Sequence, residues 1–184
     1  MVWTRRLAGL GLALALFLAD QWVKWWLVGP MQLRERQVID LLPFFDLRWT
    51  QNFGVSLGMF TADTAEARWI LVGVTALIAA GVAIWMLREK ALGDILALGL
   101  VLGGAAGNIR DRFLHGYVID YADLHIGEFR PFLIFNIADA AITIGVVIIL
   151  ARSFFLREKD ANANDDEQAP QPADQMPAEK NEHA

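Results

Sequence analysis

The chain has no cysteine, and it carries histidine only at His115, His125 and His183 and serine only at Ser56 and Ser153. Without thiols, disulfides, thiolate nucleophiles and Cys-ligated metals are excluded, an absence that fits an oxidising compartment. No HExxH segment occurs, so a helical zinc-peptidase site has no support. Ser153 lies at the opposite end of its helix from the histidines, and nothing local supports pairing Ser56 with His115 or His125. Charge is sparse as well. Charged residues make up 20% of the 184, against 55% hydrophobic, with a mean hydropathy of +0.36 and seven Trp. A soluble domain of this size carries more charge and fewer long apolar runs.

The charges are also unevenly placed. From Glu158 onward there are eight acidic residues against two lysines, while residues 1–157 hold 13 acidic and 14 basic ones. The net charge of -5 therefore belongs to the tail. The body has no basic excess that would suggest a nucleic-acid partner. Residues 158–184, acidic and rich in Pro, Gln, Asn and Ala, read as a disordered, solvated tail.

What is abundant is long apolar sequence. Leu7 to Ala19 is unbroken behind Arg5 and Arg6, and the pattern continues past Asp20 and Lys24 to Val28. No small-x-small cleavage site follows, so this reads as an uncleaved span rather than a removed leader. Trp69 to Leu87 contains no charge, Ile95 to Ile109 is apolar and Gly-rich within a helix expected from about Leu92 to Phe113, and Phe132 to Leu150 is broken only by Asn136, Asp139 and Thr143. Each is near the roughly 20 residues needed to cross about 30 Å of hydrocarbon. The expected architecture is a mainly α membrane protein with four transmembrane helices, at about 7–28, 69–87, 92–113 and 132–154. Pro131 would sit in the first turn of the last helix.

Four spans put both termini on one side, flanked by Arg5/Arg6, Arg88/Lys90 and Arg152/Arg157/Lys159, which the positive-inside rule makes cytoplasmic. Arg34, Arg36, Arg48, Arg68 and Arg130 fall on the other side, so the rule rests mainly on the first span and the turn at 88–90. The loop 29–67 then faces outward. Its segment FFDLRWTQNFGVSLGMF has β-type residues and partial alternation, which predicts a small extracytoplasmic β-containing loop domain.

Polar groups recur within or beside three of the spans. Asp139, eight residues past Pro131, would lie roughly 12 Å into its helix, too deep for a short side chain to reach water. An ionisable group at that depth usually faces a polar cavity and marks function. Asn136 and Thr143 share its face. Span three ends in GNIRDR, where Asn108, Asp111 and Arg112 stand at helical spacings on one surface. Arg110 reads as an interfacial anchor, a role open to Arg112 too. Asp20 and Lys24 are i,i+4 on span one, where a structural salt bridge is an equal reading. Asn52 precedes Phe53-Gly54 in the loop, at a turn or beside a bound peptide.

With nucleophilic serine, cysteine and zinc set aside, aspartate remains. Two carboxylates brought together cannot comfortably both ionise, so one stays protonated and one charged. Such a pair can activate a water and protonate a peptide carbonyl and a departing amine. Sharing a proton also lowers the cost of burying Asp139. From the residues alone Asp111, Asp120, Asp123 and Asp20 all compete as its partner. An intramembrane proton path of the transporter kind would need polar groups reaching the inner face, and spans two and four offer none there.

Five ordered blocks resolve the choice: DQWVK at 20–24, TQNFGVSLG at 50–58, GGAAGNIRDR at 103–112, VIDY at 118–121 and FNIADA at 135–140. With them the chain, over about residues 5–155, resembles the lipoprotein signal peptidase (signal peptidase II) family of bacterial inner-membrane aspartic peptidases. The resemblance implies a catalytic pair of Asp120 and Asp139. It also implies that Asn108, Arg112 and Asn136 are polar residues of the cleft, and that Asp20, Lys24, Asn52 and Gly54 are further motif positions. Within this, Asn52 and Arg112 would position substrate while Asn108 and Asn136 orient the pair. Asp111 takes a structural pairing role, with an arginine as the expected partner. The implied substrates are diacylglyceryl-modified prolipoproteins, cut before the lipidated cysteine. Membrane lipid would surround the site, no metal or organic cofactor is required, globomycin-type cyclic peptides would inhibit, and the unit would act as a monomer. Family members often read Ala-Phe where this chain has Ser56-Leu57, a difference that touches loop packing rather than chemistry.

Overall fold

The computed structural model describes residues 2–54 and 65–167. Ser56, Leu57 and the tail from residue 168 lie outside the described residues. In chain order the elements are α1 (Val2–Val28), a one-turn α2 (Leu33–Arg36), β1 (Val38–Leu42), β2 (Phe45–Asn52), α3 (Ala65–Arg88), α4 (Leu92–His115), β3 (Val118–Leu124) and α5 (Ile137–Glu167). Four helices are long and apolar enough to cross a membrane: Val2–Val28, Glu66–Arg88, Leu92–His115 and Ile137–Phe154. The expected mainly α, four-span class with a small sheet is what the chain adopts.

Outward-facing side chains explain why these helices need hydrocarbon around them. Trp22, Trp25, Ile70, Leu77 and Val147 are all exposed, Leu77 by 75%. A contiguous apolar surface of that kind in water would be a strong aggregation liability. The helix pattern starts before the expected residue 7, because Arg5 and Arg6 continue it. Arg5 Nη1 donates to Lys90 O at 3.0 Å, which ties the start of α1 to the α3–α4 turn.

α4 is the central helix. α1 and α3 pack against it, and its glycines let backbones approach. A Cβ on Gly103 would stand 2.5 Å from Ala13 O of α1, and one on Gly104 would strike Ala138 O of α5. Small residues at these crossings give close van der Waals packing, the main attraction between helices in lipid. The pair of adjacent glycines thus draws α1 and α5 onto two sides of α4.

The sheet has the order β1-β2-β3, antiparallel throughout. Its β1–β2 hairpin matches the expected loop domain. The third strand, VIDYADL, lies between the third and fourth spans, and its residues Val118 to Ala122 are buried. Ile119, Tyr121 and Ala122 pack with Leu27, Leu33 and Leu47, which seats the sheet on the end of α1. Between the pairs Leu47↔Ala122 and Thr50↔Asp120 the register shifts. Such a bulge twists a strand and re-aims its side chains, and here it sets Thr50 opposite Asp120.

The start of α5 corrects the sequence expectation. The helix begins at Ile137, not at 132, and Pro131 lies outside it. Residues just before the helix pair with the free edge of β3 instead: Phe135 O accepts from Ala122 N at 2.8 Å, and Phe135 N donates to Ala122 O at 3.2 Å. An apolar run cannot be distinguished from helix by composition alone, and a free strand edge supplies partners for its backbone. Asp139 consequently stands in the first turn of α5 rather than about 12 Å along it.

The chain divides into two compact units, Met1–Ile149 and Leu150–Ala184. In the second, helix continues through Glu167, past the 158 boundary at which disorder was expected. The Ala and Lys among residues 158–167 are good helix formers, so acidity alone does not break the helix.

Candidate active site

Asp120 and Asp139 come together through strand pairing and a helix cap. Asp120 is 1% exposed on β3. The Phe135 bridge brings the following residue, Asn136, beside that strand, and Asn136 caps α5. Its Oδ1 accepts from Asp139 N at 2.9 Å, and its own N donates to Asp139 Oδ2 at 3.3 Å. This is a reciprocal capping box with Asp in the acidic position. Asn136 Nδ2 donates to Asp120 Oδ1 at 2.6 Å and lies 3.3 Å from Asn108 Oδ1 and from Ile119 O. An amide has two hydrogens for those three acceptors, so the shortest contact, to Asp120, is the firm one.

The second oxygen of each carboxylate is held by another amide. Asn108 Nδ2 donates to Asp139 Oδ1 at 2.7 Å, and Asn52 Nδ2 donates to Asp120 Oδ2 at 2.9 Å. Asn52 Oδ1 in turn accepts from Gly54 N at 2.8 Å. Gly54 has φ +87°, a left-handed backbone conformation that favours glycine. Asn52 thus holds Asp120 and closes its own turn, while one amide hydrogen and one lone pair remain for other partners.

Neither carboxylate has a cation within ion-pair distance among the described residues; amides are their partners. Burial pushes the Asp120 carboxyl up to about 6, the charge of Asp139 adds to this, and the donors from Asn52 and Asn136 oppose it. Arg112 and Lys24 are cations that act on the pair from beyond ion-pair distance. The Nε of Arg112 is buried without a hydrogen-bond partner, and its guanidinium feels Asp139, Asp120 and Asp111 electrostatically. Thr143 Oγ1 merely donates to Asp139 O at 2.9 Å.

Asp20, Lys24 and Asp111 form a separate buried knot. Lys24 Nζ is 2.8 Å from both Asp20 Oδ2 and Asp111 Oδ2. The partner of Asp111 is thus a lysine, not an arginine: Lys24 reaches across from α1, while the neighbouring Arg110 bonds Gln21 Oε1. Asp111 Oδ2 also accepts from Ile119 N at 3.2 Å, which links α4 to the residue before Asp120. Sequence reasoning missed two contributors. Gln21 donates to Asp20 and Asp111, both at 3.0 Å; its place inside the DQWVK block was the available signal. Arg68 Nε donates to Arg112 O at 2.8 Å and so closes the end of α4, with no sequence signal beyond its charge.

Two cavities flank the carboxylates. One, of about 520 Å³, is lined by Thr50, Asn52, Asp120 and Arg130. The other, of about 350 Å³, runs along α5 beside Asp139, Ala140 and Ile144 and is mostly apolar. Phe132 and Leu133 line both. A larger cavity of about 630 Å³ beside Trp22 and Trp25 includes neither Asp120 nor Asp139. Among the described residues no group of three or more His, Asp or Glu could hold a metal ion. Chemically, the arrangement can hold one proton between two carboxylates, activate a water and polarise a carbonyl.

A family profile described as signal peptidase (SPase) II matches residues 12–155. The chain belongs to the signal peptidase II family. Relatives in that family include a lipoprotein signal peptidase of Rhizorhabdus wittichii, 57% identical over 82% of this chain and 87% of its own. Another, from Sphingopyxis alaskensis, is 54% identical over 85% and 90%, and one from Vibrio parahaemolyticus is 33% identical over 82% and 89%. A solved structure of a bacterial membrane enzyme superposes with a TM-score of 0.67 at 26% identity, covering 78% of this chain and 90% of that one. A second, at 24% identity and the same TM-score, shares the fold. As a signal peptidase II family member the chain is a multi-pass protein of the bacterial inner membrane.

Proposed function

We propose that Asp120 and Asp139 are the catalytic pair with which this signal peptidase II family member, an aspartic endopeptidase, cleaves diacylglyceryl-modified prolipoproteins before the lipidated cysteine. The observation that carries the assignment is the amide cradle. Asn52 and Asn136 hold Asp120, Asn108 and Asn136 hold Asp139, and among the described residues no cation lies within ion-pair distance of either. Two neighbouring carboxylates in that setting, Asp120 buried and Asp139 half-buried, share one proton.

The ionised member takes a proton from a water as its oxygen attacks the scissile carbonyl carbon. The protonated member donates to the carbonyl oxygen, giving a tetrahedral diol. One carboxyl then gives its proton to the peptide nitrogen while the other carboxylate takes a proton from a diol hydroxyl; the C–N bond breaks to leave an amine and a carboxylic acid, and the pair ends with the single proton it began with. Asn108, Asn136 and Asn52 orient the carboxylates, and Arg112, buried with an unpartnered Nε, positions the substrate backbone. Asp20, Lys24 and Asp111 hold α1, α4 and β3 in register around the pair.

In this reading residues 1–157 are the peptidase and 158–184 a cytoplasmic tail. Both termini face the cytoplasm, the sheet and catalytic pair face the periplasm, the unit is a monomer, and globomycin-type cyclic peptides block the cleft. The test is to incubate the purified full chain with a lipidated precursor and an unlipidated one, and to map the products by mass. Cleavage of the lipidated precursor alone, before its cysteine, supports the proposal. Cleavage elsewhere, or equal cleavage of both, refutes the substrate assignment.

A further inference from the structure

The buried charge that this scheme leaves unused is Asp123, which is 0% exposed on β3. Its Oδ2 lies 2.8 Å from Arg48 Nε and 3.1 Å from Arg130 Nε, and Arg130 Nε is 3.2 Å from Oδ1 as well. Among the described residues, Asp123 is the carboxylate within ion-pair distance of either arginine. Asp46, opposite Asp123 on the β2–β3 ladder, is instead 3.0 Å from His125 Nε2. One carboxylate therefore faces two guanidinium groups, and positive charge is left over. Burial alone would raise the Asp123 carboxyl, but Arg48 and Arg130 outweigh it and hold it below the usual range. It stays ionised and fixes both arginines.

Arg130 lines the same cavity as Asp120 and Asn52, and its side chain is 39% exposed. Its Nε is tied to Asp123, and the fixed guanidinium is a planar donor matched to carboxylate geometry. The two cavities differ in polarity. The one along α5 is mostly apolar and suits a hydrophobic signal helix. The one with Arg130 adds, beside Phe132, Leu133 and Ile134, the hydroxyl of Thr50 and the amides of Gln51 and Asn52 from the sheet. A hydrophilic chain leaving the membrane would pass there.

We infer that Arg130, pinned by Asp123, is a specificity-determining residue that accepts a carboxylate side chain from the substrate's mature segment, within the first few residues after the lipidated cysteine. The inference rests on the proposed peptidase reading. A phospholipid phosphate could meet the same guanidinium, but the polar lining beside Thr50, Gln51 and Asn52 favours peptide.

The test uses purified full-length protein and lipidated precursors that differ only in Asp, Asn or Lys at each of the first four positions after the cysteine. The expected order of kcat/KM at one or two adjacent positions is Asp, then Asn, then Lys. Asp should exceed Asn by about three- to fivefold, carried in KM and shrinking with added salt. In Arg130→Gln that ratio falls to near one, and in Arg130→Glu it inverts toward Lys. Ratios between substrates do not depend on how much of a variant folds. Equal rates for all three side chains at every position in the wild type overturn the inference while leaving the peptidase reading intact. So does a ratio that persists in Arg130→Gln, or an Arg130-dependent response to anionic phospholipid with no peptide discrimination. Failure to cleave any precursor refutes the peptidase reading and takes this inference with it.

Discussion

Asn136 offers two amide hydrogens and one carbonyl oxygen, and the site uses both functions: the amide holds Asp120 and the carbonyl caps the helix that carries Asp139. A carboxylate accepting from amides alone is stabilised less than one beside a cation, so burial wins and pushes the Asp120 carboxyl up to about 6. The donor from Asn52 favours the ionised form. Removing it in Asn52→Ala raises the folded pKa further, so the inflection near pH 6 in the kcat/KM profile should move to higher pH. A shift to lower pH, or none, would show that Asn52 does not act on Asp120. The same reasoning gives stability a sign. A carboxyl whose folded pKa is raised from 3.8 to about 6 contributes stability at low pH that is lost as pH rises through that window. Asp123, held below its usual range, contributes stability that is lost only as pH falls below the ordinary carboxylate range.

At the scale of elements, the site depends on how closely helices and one strand edge approach. Gly104 lets α5 lie against α4, and Asn108, one turn later on α4, reaches Asp139 across that crossing at 2.7 Å. Gly104→Val should push α5 outward, break the Asn108–Asp139 bond and lower kcat by about tenfold or more, with the protein still inserted. Activity within twofold of wild type would show that the crossing is not critical. This scale also marks where reading the sequence stopped. Helix length and hydropathy reveal four spans because period and composition are local properties. The strand at 118–124 and the late start of α5 depend on a partner: VIDYADL pairs with β2, and Phe135 pairs with Ala122. Pro131 and the apolar run after it mimic a helix start, and only the free edge of β3 redirects them. Asp139 and Asn136 were legible as a polar pair at i,i+3, yet their cap geometry was not, because the helix boundary was unknown.

Across the whole molecule, the carboxylates around the site are paired with cations or cradled by amides, while the surplus negative charge is carried by the tail. The residues that build the site run from Asp20 to Asp139, and the family profile ends at residue 155. Removing residues 158–184 should therefore leave cleavage of a lipidated precursor within about twofold of the full chain, a comparison that can be read in initial rates at equal protein. A loss of tenfold would place a functional contact in the tail. The resemblance blocks single out Asp120 among four competing aspartates as the expected partner of Asp139, whereas the pairing of Asp111 with Lys24 needed the α1–α4 crossing. That contact joins residues 24 and 111, and no local pattern records it.

Proton sharing between the two carboxylates is tested most directly by kcat for Asp120→Asn, Asp139→Asn and the double variant on one lipidated precursor. If they act as a unit, each single change lowers kcat by about 10³-fold and the double variant is no slower than the worse single. Either single variant within tenfold of wild type, or losses that multiply in the double, would contradict the account.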